Sequence, residues 1–319
     1  QIQGHYSRAI GNDIDAMHTH RGGAGSIGSG NDGVQVFGNV IYGGDTQNKL
    51  DHAIYFSGCT PITGSEAAYN LIRDNDFDQM TPTVQGVGAY IVDNHQELRC
   101  ESNEFMKTTS IYNNLIDCTG YNARAIGIFD NSWTTGEATQ PEPALVYNNI
   151  TIQCGTDAAE PTADFGNPVA YHNDGHAVFF NNSFLDSWGG FSIANEGDGG
   201  VLSTTLVNNV FTTSNSGGTC IGTETSANGS GVPVRVVNNN ASDDCALDGT
   251  NDVTSNLGVT YDATLYNPIT VAPTSSLIGA GANTNEVTVN AITYPMVTRD
   301  FYGTQRALGS YSIGAAEPL

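Results

Sequence analysis

Residues 111–116 read IYNNLI, and the pattern returns as VYNNIT (146–151), FFNNSF (179–184), LVNNVF (206–211) and RVVNNN (235–240). Each copy sets an apolar or aromatic pair before adjacent asparagines, with the Asn at 113/114, 148/149, 181/182, 208/209 and within 238–240. Asparagine at one place in successive coils of a stacked chain would form a ladder of side-chain amides, each bonded to the next at about the ~4.8 Å strand spacing. Burial is then tolerated because every amide finds a partner. The pairs are therefore expected to hold corners rather than ligands.

A second element alternates with the first. DHAIYFSG (51–58) is echoed by GVGAYIVD (86–93) and ARAIGIFD (123–130), which aligns Ala53, Ala89 and Ala125 at intervals of 36 residues. The series extends to Val169, Phe191 and Cys220, with Ala16 upstream. Two strand types alternating at roughly 22 to 44 residues predict a solenoid, because one coil cannot bury its apolar face until neighbours stack on it. Variable spacing follows from loops that project from a constant core, such as TTGEATQPEP and GTDAAEPTADFGNP.

Composition agrees. The 319 residues include 38 glycines, are 39% hydrophobic, and lack long runs of helix formers, which favours strands and turns. Thirty-three acidic against ten basic residues give a formal charge of -23, and only Lys49 and Lys107 are lysines. Nucleic acid and anionic membranes are poor partners for such a surface. No run is apolar enough for membrane insertion. The acidic excess reads as a solvated extracellular surface, with cation binding as the sharper alternative. The chain starts at Gln1, without methionine or a leader-like segment, and reads as a processed or trimmed form.

These motifs carry a resemblance. The alternation NVIYGG, DHAIYFSG, NNLID, RAIGIFDN is similar to secreted right-handed parallel β-helix proteins of the pectate-lyase-like superfamily. The C-terminal SSLIGAGANTN and RDFYGTQRALGSYSIGAAE, with Asp300, Gly303, Arg306, Gly309 and IGAAE in order, resemble the tail of many bacterial secreted members. The resemblance spans about residues 12–317. It implies an all-β solenoid, with coils over 1–265 and a tail over 266–319 packing on the last coils. It does not choose an activity, since that fold hosts lyases, hydrolases, epimerases, adhesins and passive fibres.

Six cysteines suit an oxidising compartment. Cys118 and Cys154 follow equivalent Asn pairs by four and five residues, so they should lie above one another and bridge. Cys59 with Cys100 and Cys220 with Cys245 are the other adjacent-coil pairs; free buried thiols are the alternative.

In the second element, alternation assigns Ile54, Phe56, Tyr90, Val92, Ile126 and Ile128 to the core. The opposite parity presents Tyr55, Ile91, Tyr171 and Ile193 in one outward column. The next column holds His20, Ser57, Asp93, Asn173, Asn195 and Glu224, with Phe129 and Asp130 competing for one place. Aromatic rings beside polar groups suit a polysaccharide. Hydrolysis needs two carboxyls about ~5 to 9.5 Å apart, for which Asp93 with Asp130, or Asp130 with Asp174, are candidates. Lyase chemistry needs a base and a cation or Arg beside the sugar carboxylate, for which His95, His172, His176, Arg99 and Arg124 are at hand. The resemblance adds little: DGHAV (174–178) is a fragment of the hydrolase GHG motif, and no RIK element follows.

Calcium is the candidate cofactor, and the metal ligands stay open. Asp74–Asp78 (DNDFD) lacks the Gly and the closing Glu of an EF-hand; NEGDGG (195–200), NDIDAMHTH (12–20), His18 and His20 are looser candidates. Four N-x-S/T triplets, at Asn149, Asn181, Asn228 and Asn240, are potential glycan acceptors. Two functions are expected from this reading. The first is a secreted structural β-helix that stacks head-to-tail with copies of itself, because its first residues offer no capping helix. The second is a polysaccharide lyase or glycoside hydrolase working along the stripe.

Overall fold

The asparagine pairs build the corner on which the fold turns. In the computed structural model the first Asn of each pair takes the left-handed conformation, with φ of 53° at Asn113, 52° at Asn148, 54° at Asn181, 59° at Asn208 and 53° at Asn239. Asn visits this region at lower cost than most side chains, which explains its place here. Gly11 and Gly38 serve the first two corners, and Tyr69, 59% exposed, is the exception at φ 59°.

The second Asn points inward and forms the ladder. Nδ2 of Asn114 donates to Oδ1 of Asn149 at 2.9 Å and to the carbonyl of Ala67 at 2.9 Å, and its backbone N–H donates to the same Oδ1 at 3.1 Å. The same amide-to-amide bond links Asn12, Asn39, Asn70, Asn114, Asn149, Asn182, Asn209 and Asn240 in turn. It ends at Asp252, whose Oδ1 accepts the backbone N–H of Asn240 at 2.9 Å.

The structure describes residues 6–15, 27–29, 33–42, 53–57, 64–73, 89–94, 108–119, 124–129, 142–155, 169–172, 175–187, 190–193, 201–213, 220–223, 234–262, 268–282, 286–289, 291–295, 298–307 and 309–318. They form an all-β solenoid without helix among the described residues. Sheet A stacks β1 (Arg8–Ile10), β4 (Gln35–Phe37), β7 (Glu66–Ala68), β10 (Ser110–Tyr112), β13 (Ala144–Tyr147), β16 (Gly175–Phe180), β19 (Val201–Val207) and β22 (Val234–Asn238). Past the corner, sheet B stacks β2 (Asp13–Asp15), β5 (Val40–Tyr42), β8 (Leu71–Ile72), β11 (Leu115–Asp117), β14 (Ile150–Ile152), β17 (Ser183–Ser187), β20 (Val210–Thr213) and β23 (Ala241–Ser242). Sheet C stacks β3 (Ile27–Ser29), β6 (Ile54–Ser57), β9 (Ala89–Asn94), β12 (Arg124–Phe129), β15 (Ala170–His172), β18 (Phe191–Ile193) and β21 (Ile221–Thr223). All pairings within these sheets are parallel. The parallel β-helix expected from the repeats is thus present.

Alternate residues fill the interior in columns. Val36, Ala67, Ile111, Val146, Phe179 and Leu206 are in register along sheet A, and Ile41, Ile72, Ile116, Thr151, Phe184 and Phe211 along sheet B; all are buried. Two expected bridges join adjacent coils, Cys118–Cys154 with Cα atoms 4.9 Å apart and Cys220–Cys245 with 5.1 Å. Cys59 and Cys100 lie outside the described residues.

The C-terminal segment adds the antiparallel pairs β24 (Val259–Tyr261) with β25 (Ile269–Val271) and β26 (Glu286–Val289) with β27 (Ile292–Pro295). The first pair straddles residue 265. Leu277, Ile313, Ala315 and Ala316 cover the outward Ile150, Leu185, Val210 and Ala241 of sheet B, while Val287, Val289 and Tyr294 cover Val178, Phe180 and Val207 of sheet A. The tail thus lies along the flank of several coils. Arg306, 1% exposed, fastens it: the guanidinium donates to Glu317 Oε1 at 2.7 Å, Gly314 O at 2.8 Å and Asn148 Oδ1 at 3.1 Å. Burial works against its charge, and the Glu317 and Asp300 carboxylates work for it.

Asn149→Ala is expected to cost about 3 kcal/mol or more, because it removes the acceptor of Asn114 and the donor to Ile111 O at a fully buried position. Urea unfolding of the oxidised variant measures this, and a loss within about ±0.5 kcal/mol, the range of an ordinary surface change, would contradict the ladder's role.

Candidate functional site on the sheet C face

The register of sheet C differs from the expectation by one residue in two strands, β9 and β18. Ile54 pairs with Ile91, which pairs with Ile126, and all three are fully buried. Ile91 therefore belongs to the core, the opposite of the outward place expected for it. Ala53, Ala125, Val169 and Cys220 keep their alignment, whereas Ala89 stands one place before that level and Phe191 one place after it. A β-branched side chain fills the interior without a polar atom, whereas a buried Tyr would need a partner for its hydroxyl.

The slip matters for the acidic candidate. Asp93 is level with Phe56 and Ile128, and Asn94 rather than Asp93 is level with Ser57 and Phe129. Ile193, 1% exposed, and His172, fully buried, face the interior rather than the stripe. His172 Nδ1 lies 2.8 Å from Thr204 Oγ1 across the coil, so it is a hydrogen-bonded core histidine. His20, Asp130, Asn173, Asp174, Asn195 and Glu224 lie outside the described residues, as do His18, His95, Arg99, Asp74, Asp76, Asp78 and the 195–200 loop.

Level with one another along this face stand Tyr55, Val92, Gly127, Tyr171, Ser192 and Gly222. Gly127 and Tyr171 are fitted to each other. A Cβ at residue 127 would stand 2.4 Å from Tyr171 Cζ, so the ring lies directly on the glycine. The guanidinium carbon of Arg124 sits 4.9 Å from the centre of the same ring, within cation–π range. Tyr171 is 4% exposed, so this part of the column is covered, while Tyr55 is half-buried and Gly222 is exposed. Among the described candidate residues, Arg124 and Tyr171 are in contact.

His176 stands beside this region at the start of β16. Its Nδ1 is 2.5 Å from Ser203 Oγ, and Nε2 is buried without a partner among the described residues. Burial holds its pKa below the ordinary value of 6.5 and keeps the ring neutral. No group of three or more His, Cys, Asp or Glu side chains that could hold a metal occurs among the described residues.

An aromatic column on sheet A was not anticipated. Tyr112 stacks on Tyr147 at 4.8 Å and 8°, Tyr147 on Phe180 at 4.9 Å and 21°, and Tyr69 meets Tyr112 edge-on at 5.7 Å. The signal was the aromatic residue just before three of the NN pairs, at Tyr112, Tyr147 and Phe180. These rings turn their faces to one another, whereas a sugar stacks on a free face, so the column braces the sheet. Burial, then Glu66 and Tyr69, push the Tyr112 hydroxyl up to about 12, so it stays protonated.

The N-x-S/T triplets divide similarly. Asn149 and Asn240 are fully buried ladder members and Asn181 is a fully buried corner, so none can carry a glycan in this fold. Asn228 lies outside the described residues. No family model matches the chain, and no curated protein matches it in sequence.

The His176 pKa has a testable sign. The unfolded state binds this proton first, so the His176 contribution to stability is present above pH 6.5 and is lost as pH falls toward the lower folded value. Melting temperature between about pH 7.5 and 5 should fall less steeply for His176→Asn than for the parent chain. Equal slopes would show that His176 is not held neutral.

Proposed function

We propose that this chain is a secreted structural β-helix protein that stacks head-to-tail with copies of itself into an extracellular fibre or matrix. The observation that carries this reading is the order of strands. Each sheet runs monotonically from β1, β2 and β3 at one end to β22, β23 and β21 at the other; bridges at Thr250 and Val253 cover part of the latter edge, and the β1–β3 end has no further strand paired to it among the described residues. Such edges pair readily with another chain, and a contact that does not close on itself grows linearly. Two disulfides between coils, which are compatible with an extracellular protein, and a buried amide ladder suit a durable rod. Asp252 can accept but not donate, so a second copy would dock through strand edges and not by extending the ladder. The exposed part of the sheet C stripe would then serve lateral contacts or glycan.

Electron microscopy of the untagged protein at native ionic strength tests this. Filaments one β-helix wide, or bundles of them, are expected. A strictly monomeric chain in dilute, calcium-containing buffer overturns the proposal.

The Arg124–Tyr171 pair favours a second reading, a polysaccharide lyase or glycoside hydrolase on an acidic glycan whose carboxylate Arg124 would neutralise. Under it, uronate-containing polysaccharides gain new ends, and Arg124→Ala lowers that rate about 10²-fold. A chain that releases no ends from such substrates is not this enzyme.

A further inference from the structure

The junction between tail and solenoid contains polar atoms that the protein itself does not satisfy. Asn181 is fully buried, and neither its Nδ2 nor its Oδ1 has a hydrogen-bond partner among the described residues. The same holds for Nδ2 of Asn208, also fully buried, and for Nε of Arg306, 1% exposed.

These atoms belong to one neighbourhood. Asn148, Asn181 and Asn208 are corners of consecutive coils: the N–H of Asn148 donates to Phe180 O at 3.3 Å, and that of Asn181 to Val207 O at 3.1 Å. Arg306 spans the outside of this row. Its Nη2 donates to Asn148 on one side and to Gly314 O on the other, and the Gly314 N–H donates to Asn208 O at 2.7 Å. Asn181 lies between, under the segment that carries Ala315, whose N–H donates to Ser183 Oγ at 2.9 Å.

The unpaired set is three donor nitrogens (two amide NH2 groups and one guanidinium N–H) and one amide oxygen. A flip of the Asn181 amide would not help, because both its ends are unpaired. A cation would find one oxygen. An anion would meet that oxygen and the Glu317 and Asp300 carboxylates near Arg306. Water both donates and accepts, and bridging buried polar groups that lack protein partners is its ordinary role. We propose that a water molecule is bound here as a fixed part of the structure, joining Asn181 to Asn208 Nδ2 or Arg306 Nε and so sealing the tail onto the corner row.

A crystal structure of the full chain, at a resolution that shows ordered solvent and from bromide-soaked crystals, decides the matter. The expected result is a peak without bromide anomalous signal within about 3.2 Å of an Asn181 amide atom and of Asn208 Nδ2 or Arg306 Nε. No peak there, or one with bromide signal, overturns the proposal. Asn181→Gly keeps the left-handed backbone and removes both amide atoms. The peak should then vanish or move while the Arg306–Glu317 contact persists; an unmoved peak would remove Asn181 from the site.

Discussion

The fold depends on one repeated hydrogen bond, from the side-chain amide of one coil to that of the next. Its energetic weight lies less in the bonds than in the absence of alternatives. A buried amide left unpaired costs about 1–3 kcal/mol per group, so each Asn in the row can be satisfied only if its neighbours stay in register. The ladder therefore transmits register along the stack. The columns of Ile, Val and Phe behind it fill space but tolerate exchange, as the mixture of Ala67, Ile111 and Phe179 in one column shows.

The first Asn of each pair has the opposite task. Its left-handed backbone turns the chain between sheets A and B and leaves its amide facing out, where Asn148 donates to Arg299 O at 2.8 Å and Asn239 to Ala280 O at 2.8 Å. One dipeptide thus holds the interior with one side chain and receives the tail with the other. The buried Arg306 and its partly buried partner Glu317 are tolerable because the guanidinium is enclosed by carbonyls and carboxylate.

The two elements were unequally legible in the sequence. NN pairs mark a backbone angle and a buried bond together, and few residues can replace them, so corners, ladder and the two bridging cysteine pairs could be read directly. Sheet C has no such marker. Its strands are apolar on both parities, as Ile54-Tyr55-Phe56 and Tyr90-Ile91-Val92 are, and alternation alone left a one-residue ambiguity that turned Asp93 from one column to the next. His172 was misplaced for a related reason: a polar residue in a strand looks outward until Thr204, from a distant segment, supplies its partner. Tail contacts were legible as a motif and not as geometry, since Arg306 meets Asn148 across 158 positions.

The acceptor-only end of the ladder gives the rod a chemical grammar. Every ladder Asn from Asn39 to Asn209 both receives and passes on the same bond, so whole coils between them are interchangeable units, and duplication or loss of one leaves its neighbours' bonding unchanged. Asp252 receives without passing on, which makes it the stop in that grammar. The length of such a rod can drift by internal duplication while its terminus stays fixed.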